Sequence, residues 1–539
     1  MAAATTATAP ASFAFADVWE MVADAVGDRE ALVCGDARRT YAQLEERANR
    51  AAHHLTGLGV GPGDHVALYL ENCPEYLEVM LACFKIRAVP INVNHRYVAG
   101  ELRHLLDDCG AVGVVHGPKH HDVVTAVLPD LPVVRWTLVV GDAYDAALAA
   151  ASAERPRRGE RGDDDRYIIY TGGTTGLPKG VVWRQGDAFF ACLGGGDPMR
   201  FQGEVTSPAE LPDRIGDGGL VYFTLAPLMH AAAQWTSFMW FFAGAKVVLM
   251  EGSLDPERVW DTVEAERVNM LTVVGDAVAK PLLDAWDAAP GRWDVSSVYA
   301  ISNGGAPLSA GGKARILERF PNVMVTDGFG SSEAGIQGSS RVTAADAPEA
   351  GGSVRFDKGT KPLLVLDDHD RPVEPGSGVV GRIVTGGRLP LGYHNDPKKT
   401  AGTFVEVDGE RWLVTGDLAT VAADGTIDLL GRGSTSINTG GEKVHPEEVE
   451  GILHGHPAVA DVLVVGVPDE RWGSAVTALV QPVSGATLSL DEAAAHCKTH
   501  LAGYKVPKHL VLVDRIVRSP AGKADYRWAL ATATDAVGS

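Results

Sequence analysis

The chain has 539 residues, more than one ordinary hydrophobic core accommodates, so we expect at least two domains. Its net charge of −21 argues against nucleic acid as a partner and confines any bound phosphate to a local site. The six cysteines are scattered without a CxxC pair, which argues against a zinc site and against a disulfide framework. The N-terminus lacks a secretory signal and no apolar run reaches membrane-spanning length, so we predict a cytoplasmic protein without a membrane span.

Helix and strand patterns alternate from about residue 16 to residue 330, and this βαβ rhythm predicts an α/β fold of layered, mostly parallel sheets. From about residue 351 the pattern becomes β-rich and hairpin-like, and after residue 432 a small α+β unit follows. We therefore predict domains at 1–431 and 432–539. The clearest elements are helices at 41–58, 76–86 and 231–242, and strands at 65–70, 88–93, 221–225, 245–250, 297–302 and 323–326.

A loop rich in glycine and threonine, TGGTTGLPKG at 171–180, follows an apolar strand at 167–170. Its glycines let successive backbone N–H groups point into one concavity, and its threonines and lysine add donors, a set that suits a polyphosphate. It is not a P-loop, because Gly180 follows the lysine where that motif requires Ser or Thr. An ordinary glycine-rich turn is the alternative. The candidate phosphate ligands are Thr171, Gly172, Gly173, Thr174, Thr175, Gly176 and Lys179.

Two further glycine-rich loops, at 303–307 and 327–333, each follow a predicted strand. In open α/β sheets ligands bind at the carboxyl ends of the strands. We therefore expect all three loops to face one cleft.

Six motifs occur together along the chain. They are TGGTTGLPKG at 171–180, NGGAPLS at 303–309, DGFGSSE at 327–333, TGDLA at 415–419, GRGSTSINTGGEKVHPEEVE at 431–450 and SPAGKADYR at 519–527. On these motifs the chain, from about residue 18 to 528, resembles the adenylate-forming acyl-CoA synthetases, and it is most similar to actinobacterial ligases of fatty or steroid side-chain acids. The resemblance implies a large N-terminal domain of layered sheets with a β-rich subdomain, and a small mobile C-terminal domain.

The resemblance also implies a reaction in two steps. A carboxylate attacks the α-phosphate of ATP to give an acyl adenylate and pyrophosphate, and the thiol of coenzyme A then displaces AMP. ATP, Mg²⁺ and coenzyme A are the implied cofactors and co-substrates. Both steps gather negative charge on phosphoryl oxygens, so the catalyst is mainly a set of placed cations and donors.

Three residues carry the implied catalysis. Lys523 would bridge the carboxylate and the α-phosphate, Glu333 would bind Mg²⁺, and His230 would help to orient the carboxylate. The structural alternatives are a solvated lysine, an exposed glutamate at a helix start and a partly buried histidine.

The implied nucleotide site spans four motifs. Gly304, Gly305 and Ala306 would form the wall behind adenine, and Phe329 would lie near the ring. Asp417 would accept from both ribose hydroxyls, although a turn cap is its structural alternative. The remaining implied ligands are Asp327 and Gly328 of the third motif, Ser332 beside the α-phosphate, and Arg432 at the ribose and phosphates.

The acyl and coenzyme A ends are implied by shorter stretches. Gly440, Gly441 and Lys443 would contact coenzyme A, and Ser434, where the family usually has Asp or Lys, would be the hinge. Gly172 replaces the usual serine of the first loop. The candidate acyl pocket, whose spacing also suits plain core, consists of Trp183, Ala231, Gln234 and Trp235.

The residues leave alternatives open for the function. Relatives that activate amino acids place an Asp in this stretch, and no acid lies at 230–233, so the resemblance implies that the substrate is not an amino acid. The Ala- and Gly-rich pocket region favours a fatty or bulky apolar acid. The alternatives to a CoA ligase are an acyl-AMP ligase that loads a carrier protein and a non-catalytic nucleotide-binding relative. Dimers are common among such proteins, so a homodimer also enters the hypotheses.

Overall fold

Parallel strands alternate with helices in the first part of the chain, as the sequence predicts. In the described part of the chain, the large sheet has eight strands, of which the six central ones run parallel and the two edge strands run antiparallel to their neighbours. The computed structural model describes residues 12–157, 159, 161–172, 178–305, 308, 310–346, 354–356, 361–367, 369–379, 381–407, 409–432, 437–444, 446–454, 456–517 and 526–538. In spatial order the strands are Gly335–Val342, Met324–Ser331, Ala300–Asn303, Met270–Val273, Val221–Thr224, Lys246–Leu249, Glu30–Cys34 and Ala37–Thr40.

In the described residues, the same part of the chain also forms a second parallel sheet of four strands. Three of its strands are apolar and largely buried, since helices cover a parallel sheet, whereas the edge strand Trp136–Val139 is partly exposed. In spatial order they are Val89–Asn92, His65–Tyr69, Gly113–His116 and Trp136–Val139.

The strand before the first glycine loop belongs to neither parallel sheet. Arg166–Gly172 forms an antiparallel hairpin with Pro178–Arg184, and Gly392–Tyr393 completes a separate three-stranded sheet. The described residues on either side of the loop, Gly172 and Pro178, are paired with each other. Local periodicity identifies the strand correctly, but its sheet depends on pairing with residues that follow the loop.

The third glycine loop also differs from the prediction. The strand expected at 323–326 continues as Met324–Ser331 and pairs antiparallel with Gly335–Val342. Most of the DGFGSSE motif is therefore extended and hydrogen-bonded to its neighbour.

The β-rich region forms one antiparallel sheet, as predicted. Glu410–Val421 is its longest strand and pairs on one side with Ile427–Arg432. The other strands are Val354–Phe356, Gly381–Thr385, Leu363–Leu366 and Phe404–Val407.

The C-terminal part contains a three-stranded sheet and a separate hairpin. One face of the sheet packs with the hairpin and two helices, and the helix Tyr526–Val537 covers the other face. The strands are Val459–Asp469, Gly473–Pro482 and His509–Leu512, and the hairpin is Ile437–Thr439 with Glu442–Val444.

Local signals explain several helix bounds. Thr40 caps the helix Tyr41–Gly57 and shares a capping box with Gln43. The helix predicted at 231–242 is present as Ala231–Phe242 and is mostly buried. None of the described helices combines the length and hydrophobicity that crossing a membrane requires. The other α-helices are Phe15–Val26, Pro74–Lys85, Ala99–Cys109, His121–Val127, Asp142–Ala149, Gln185–Leu193, Leu211–Arg214, Pro256–Ala265, Gly275–Ala288, Ala310–Arg319, Pro397–Thr403, Pro446–His454 and Leu490–Lys498.

Candidate functional site

The second and third glycine motifs meet where the parallel pairing of two neighbouring strands ends, at the end of Ala300–Asn303 and in the middle of Met324–Ser331. Asn303 lies opposite Asp327, and its Nδ2 donates to Asp327 Oδ1 over 2.7 Å. Asn303 Oδ1 accepts from the backbone N–H of Gly275 at 2.8 Å, and Lys313 forms an ion pair with Asp327. Asp327 therefore links the two strands through buried polar contacts as well as being a candidate ligand.

Gly304 and Gly305 directly follow Asn303 and provide the open surface that a flat ring requires. A β-carbon built on Gly304 would meet no atom within 4 Å, and Gly305 has a φ of +83°. This geometry agrees with a wall behind adenine, because small residues let a ring approach the backbone closely.

Asn92, which the sequence analysis missed, joins the first glycine loop to the candidate acyl end. It ends a buried strand of the second parallel sheet, exchanges two hydrogen bonds of 2.8 Å with the backbone of Tyr170, and donates to Met229 O at 2.7 Å. Tyr170 precedes the loop and Met229 precedes His230. The sequence does offer one signal for Asn92, because it is a polar residue at the end of an apolar strand.

The turn that carries Glu333 is held by two contacts from the separate sheet. Trp183 is fully buried and donates from Nε1 to Ser332 O at 2.9 Å. The hydroxyl of Tyr393 donates to Glu333 Oε1 at 3.0 Å. Trp183 therefore supports the turn from behind, and Glu333 remains partly exposed.

Lys179 forms an ion pair with Asp396, a residue the sequence analysis did not single out. The Lys179 Nζ to Asp396 Oδ2 distance is 2.6 Å. Hydrogen bonds from Lys179 and from the backbone N–H of Lys399 lower the pKa of Asp396. The pair holds Lys179 beside Thr171, its cross-strand neighbour.

Asp417 and Arg432, which lie in separate motifs, occupy paired positions on adjacent antiparallel strands. Asp417 is 6% exposed, and its backbone N–H donates to Thr415 Oγ1 at 3.2 Å. Phe329 packs against an apolar cluster that contains Ala419, on the same strand as Asp417. The candidate adenine and ribose contacts are thus neighbours.

The candidate acyl residues have unequal roles. Ala231 and Trp235 lie in the first turns of the helix Ala231–Phe242, but the amide of Gln234 is already used. Its Oε1 accepts from Tyr167 at 2.8 Å and its Nε2 donates to Leu228 O at 2.8 Å. The structure favours a packing role for Gln234, which is 2% exposed.

The Gly440–Gly441 hairpin brings the C-terminal part onto the cleft. Both glycines have positive φ, +57° and +85°, which a two-residue type I′ turn demands. A β-carbon on Gly441 would lie 2.7 Å from Val274 Cγ1. The hairpin therefore contacts the residue that directly follows the strand Met270–Val273 of the large sheet. Lys443 follows in the second strand of this hairpin and is partly exposed.

Glu442, directly after the glycines, makes two contacts with the other part of the chain. Its Oε1 lies 3.2 Å from His230 Nε2 and 3.0 Å from Arg96 Nη1. Burial alone would raise the pKa of this carboxyl, but the charges of His230 and Arg96 and the hydrogen bond with His230 oppose burial, and the net pKa is lowered. Glu442 is not among the site residues predicted from the sequence.

A second pair of contacts ties the two parts together beside the hairpin. Lys505 Nζ lies 2.7 Å from Glu101 Oε1, with both side chains largely buried. The amide of Asn94 donates to the hydroxyl of Tyr504 at 3.1 Å. Several predicted site residues lie outside the described residues, namely Gly173, Thr174, Thr175, Gly176, Ala306, Ser434 and Lys523.

Comparisons with known proteins agree with these features. Residues 19–394 match the model of a family described as AMP-binding enzyme, and residues 448–523 match its C-terminal domain. A medium/long-chain-fatty-acid–CoA/3-oxocholest-4-en-26-oate–CoA ligase from Mycobacterium marinum is 45% identical, and a 3-oxocholest-4-en-26-oate–CoA ligase from Rhodococcus rhodochrous is 44% identical, each over 95% of both chains. An amide bond synthetase from Marinactinospora thermotolerans superposes with a TM-score of 0.81 at 25% identity, over 96% of this chain and 99% of the other.

Proposed function

Since the chain belongs to the AMP-binding enzyme family, we propose that it activates a carboxylic acid with ATP and transfers the acyl group to coenzyme A. It is therefore an enzyme of the AMP-forming acid–CoA ligase class, as its relatives are. The observation that carries this proposal is the likeness to such ligases over nearly the whole chain, including the small C-terminal part.

The proposed substrate is a fatty acid or another bulky apolar acid. The relatives are named for medium- and long-chain fatty acids and for a steroid side-chain acid. The helix Ala231–Phe242 supports the choice, because the whole segment is apolar except for Gln234, Thr236 and Ser237. No carboxylate on this helix could pair with a substrate ammonium.

In the first half-reaction, donors and cations gather around the triphosphate. The backbone and threonines of 171–176 and Lys179 would hold the phosphates, Asp417 and Arg432 the ribose, and Gly304 and Gly305 the adenine. Lys523 would bridge the acid and the α-phosphate, where a fixed cation stabilises the negative charge that develops in the transition state. His230 would help to orient the carboxylate.

Mg²⁺ belongs to this proposal, and the chemistry of Glu333 fits it. The carboxylate is partly exposed, and among the described residues its only hydrogen bond is with the Tyr393 hydroxyl, so it keeps oxygen lone pairs for a hard cation. When bound, the ion would neutralise charge on the phosphoryl oxygens.

In the second half-reaction, the docked hairpin of the C-terminal part would guide pantetheine. The contacts of Gly441 and Glu442 with the large part support this arrangement. The described flanks of Lys523, ending at Val517 and starting at Tyr526, adjoin the sheet face covered by the C-terminal helix, opposite the face that packs the hairpin. We therefore propose that domain 432–539 turns relative to domain 1–431 about Ser434 between the half-reactions.

A coupled assay tests the proposal. Purified protein is given ATP, Mg²⁺ and a panel of aliphatic, aryl and steroid side-chain acids, with either coenzyme A or a phosphopantetheinylated carrier protein. We expect acid-dependent release of pyrophosphate and AMP, and acyl-CoA by mass spectrometry. Acyl transfer to the carrier alone would instead indicate a carrier-loading ligase, and no AMP with any acid would reject the enzyme.

We also propose a cytoplasmic location, which the six unpaired cysteines support, and a homodimer, which sedimentation would test.

A further inference from the structure

The contact between Glu442 and His230 joins an acid and a base that come from different parts of the chain. Glu442 is 4% exposed, whereas the His230 side chain is 38% exposed. The carboxylate faces Nε2 of the imidazole at 3.2 Å. Among the described residues, Nδ1 of His230 has no hydrogen-bond partner. The imidazole is therefore held on one side by a carboxylate and open on the other.

The carboxylate arrives with the hairpin and is held in place. The Gly440–Gly441 turn lets the backbone approach Val274, and Arg96 fixes the same carboxylate oxygen at 3.0 Å. The nearby Lys505–Glu101 pair anchors the same docked arrangement. Glu442 therefore meets His230 only when the small part is docked in this way.

A carboxylate on one imidazole nitrogen leaves the other nitrogen as a proton acceptor. A neutral histidine that donates Nε2–H to Glu442 has its lone pair on Nδ1. If Nδ1 takes a proton, the buried carboxylate stabilises the resulting imidazolium. This combination of base and orienting acid is the usual device for activating a weak nucleophile.

We propose that His230 is the general base for the thiol in the second half-reaction and that Glu442 is its positioning residue. His230 Nδ1 takes the proton of the coenzyme A thiol while the sulfur forms a bond to the acyl carbonyl carbon. The bond from that carbon to the phosphate oxygen breaks, and AMP leaves with the electron pair. The inference rests on the proposed ligase function and adds a proton acceptor to it.

The test separates the two half-reactions and varies the acidity of the thiol. Isolated acyl adenylate is mixed with enzyme and either N-acetylcysteamine, an ordinary thiol, or 2,2,2-trifluoroethanethiol, which ionises far more readily. General bases typically contribute 10²–10⁴-fold. We expect Glu442→Gln and His230→Asn to slow single-turnover transfer to the ordinary thiol by about 100-fold. Transfer to the acidic thiol, which needs no base, should fall much less.

A matched control removes a different contact between the same two parts. Glu101→Gln breaks the pair with Lys505 and should slow transfer to both thiols by the same factor, because it weakens docking alone. If Glu442→Gln also slowed both thiols equally, Glu442 would be a docking residue and the base assignment would be overturned. Pyrophosphate exchange by the unmodified enzyme is followed separately, because its absence would reject the ligase function instead.

Discussion

Asn303 and Asp327 share a buried hydrogen bond of 2.7 Å at the last paired position of two neighbouring parallel strands. We predict that Asn303→Ala destabilises the fold by about 1–3 kcal/mol, because Asp327 and the N–H of Gly275 each lose a partner. The variant should also bind ATP more weakly, since Asn303 and Asp327 are the first residues of the two glycine motifs. Urea unfolding and calorimetric titration with ATP measure the two effects.

The control for this hydrogen bond lies one residue earlier on the same strands. Thr326→Val removes the 2.9 Å hydrogen bond to Ser302, which lies before the last paired position. It should cost stability without weakening ATP binding. Equal affinities for ATP in the Asn303 and Thr326 variants would contradict the link between the Asn303–Asp327 hydrogen bond and the nucleotide.

For Lys523, we predict that replacement by alanine slows adenylation by about 100-fold or more, because a positioned charge is lost where charge develops. Thioester formation from supplied acyl adenylate should persist. Pyrophosphate exchange and single-turnover transfer measure the two steps. The exposed Lys498→Ala serves as the control in the same part of the chain. Near-normal pyrophosphate exchange by the Lys523 variant would remove Lys523 from the mechanism.

Glu333→Gln should raise the Mg²⁺ concentration needed for half-maximal adenylation, because a neutral amide is a weaker ligand for this ion. Tyr393→Phe is the matched control, since it removes the 3.0 Å hydrogen bond but keeps the carboxylate. Titrations of pyrophosphate exchange with Mg²⁺ compare the two. An unchanged Mg²⁺ requirement in Glu333→Gln would place the metal elsewhere.

Gly441→Ala should slow acyl transfer to coenzyme A more than it slows adenylation. The new β-carbon would lie 2.7 Å from Val274 Cγ1, so the hairpin could not approach fully. Gly425→Ala is a control with a similar positive φ, +83°, and open space around the added carbon. The double variant Gly441→Ala/Val274→Ala should recover part of the transfer rate in single-turnover experiments. No recovery would show that backbone strain, and not the clash, causes the defect.

Lys361 gives a prediction for pH. Burial lowers the pKa of this lysine to about 8, although its Nζ donates to Ala334 O at 3.0 Å. Between about pH 8 and the ordinary lysine value near 10.4, the unfolded chain binds a proton that the folded chain has released. This group therefore makes the protein more stable as pH rises through that range.

We predict that wild type gains about 2 kcal/mol of unfolding free energy relative to Lys361→Met between pH 7 and pH 10. Urea unfolding at both pH values measures the difference, and all other titrations cancel in the comparison. A constant difference between the two proteins would mean that Lys361 titrates normally.

The sequence by itself determined the fold class and the main elements. The helix Ala231–Phe242 and the strand at 65–70 follow from the spacing of apolar residues, which local sterics and burial impose. The six motifs indicated the ligase family because their wording and their order along the chain resemble those of its members. Each of these signals lies within a short stretch of the chain, so it can be recognised from the sequence alone.

Only the tertiary structure decided which residues meet. The ion pair of Lys179 and Asp396 spans 217 positions, and His230 and Glu442 are 212 positions apart. Asn92 contacts Tyr170 and Met229 from another sheet. Such partners depend on strand pairing and on how the C-terminal part docks, and these come from the sum of many distant contacts, which no short stretch of sequence encodes.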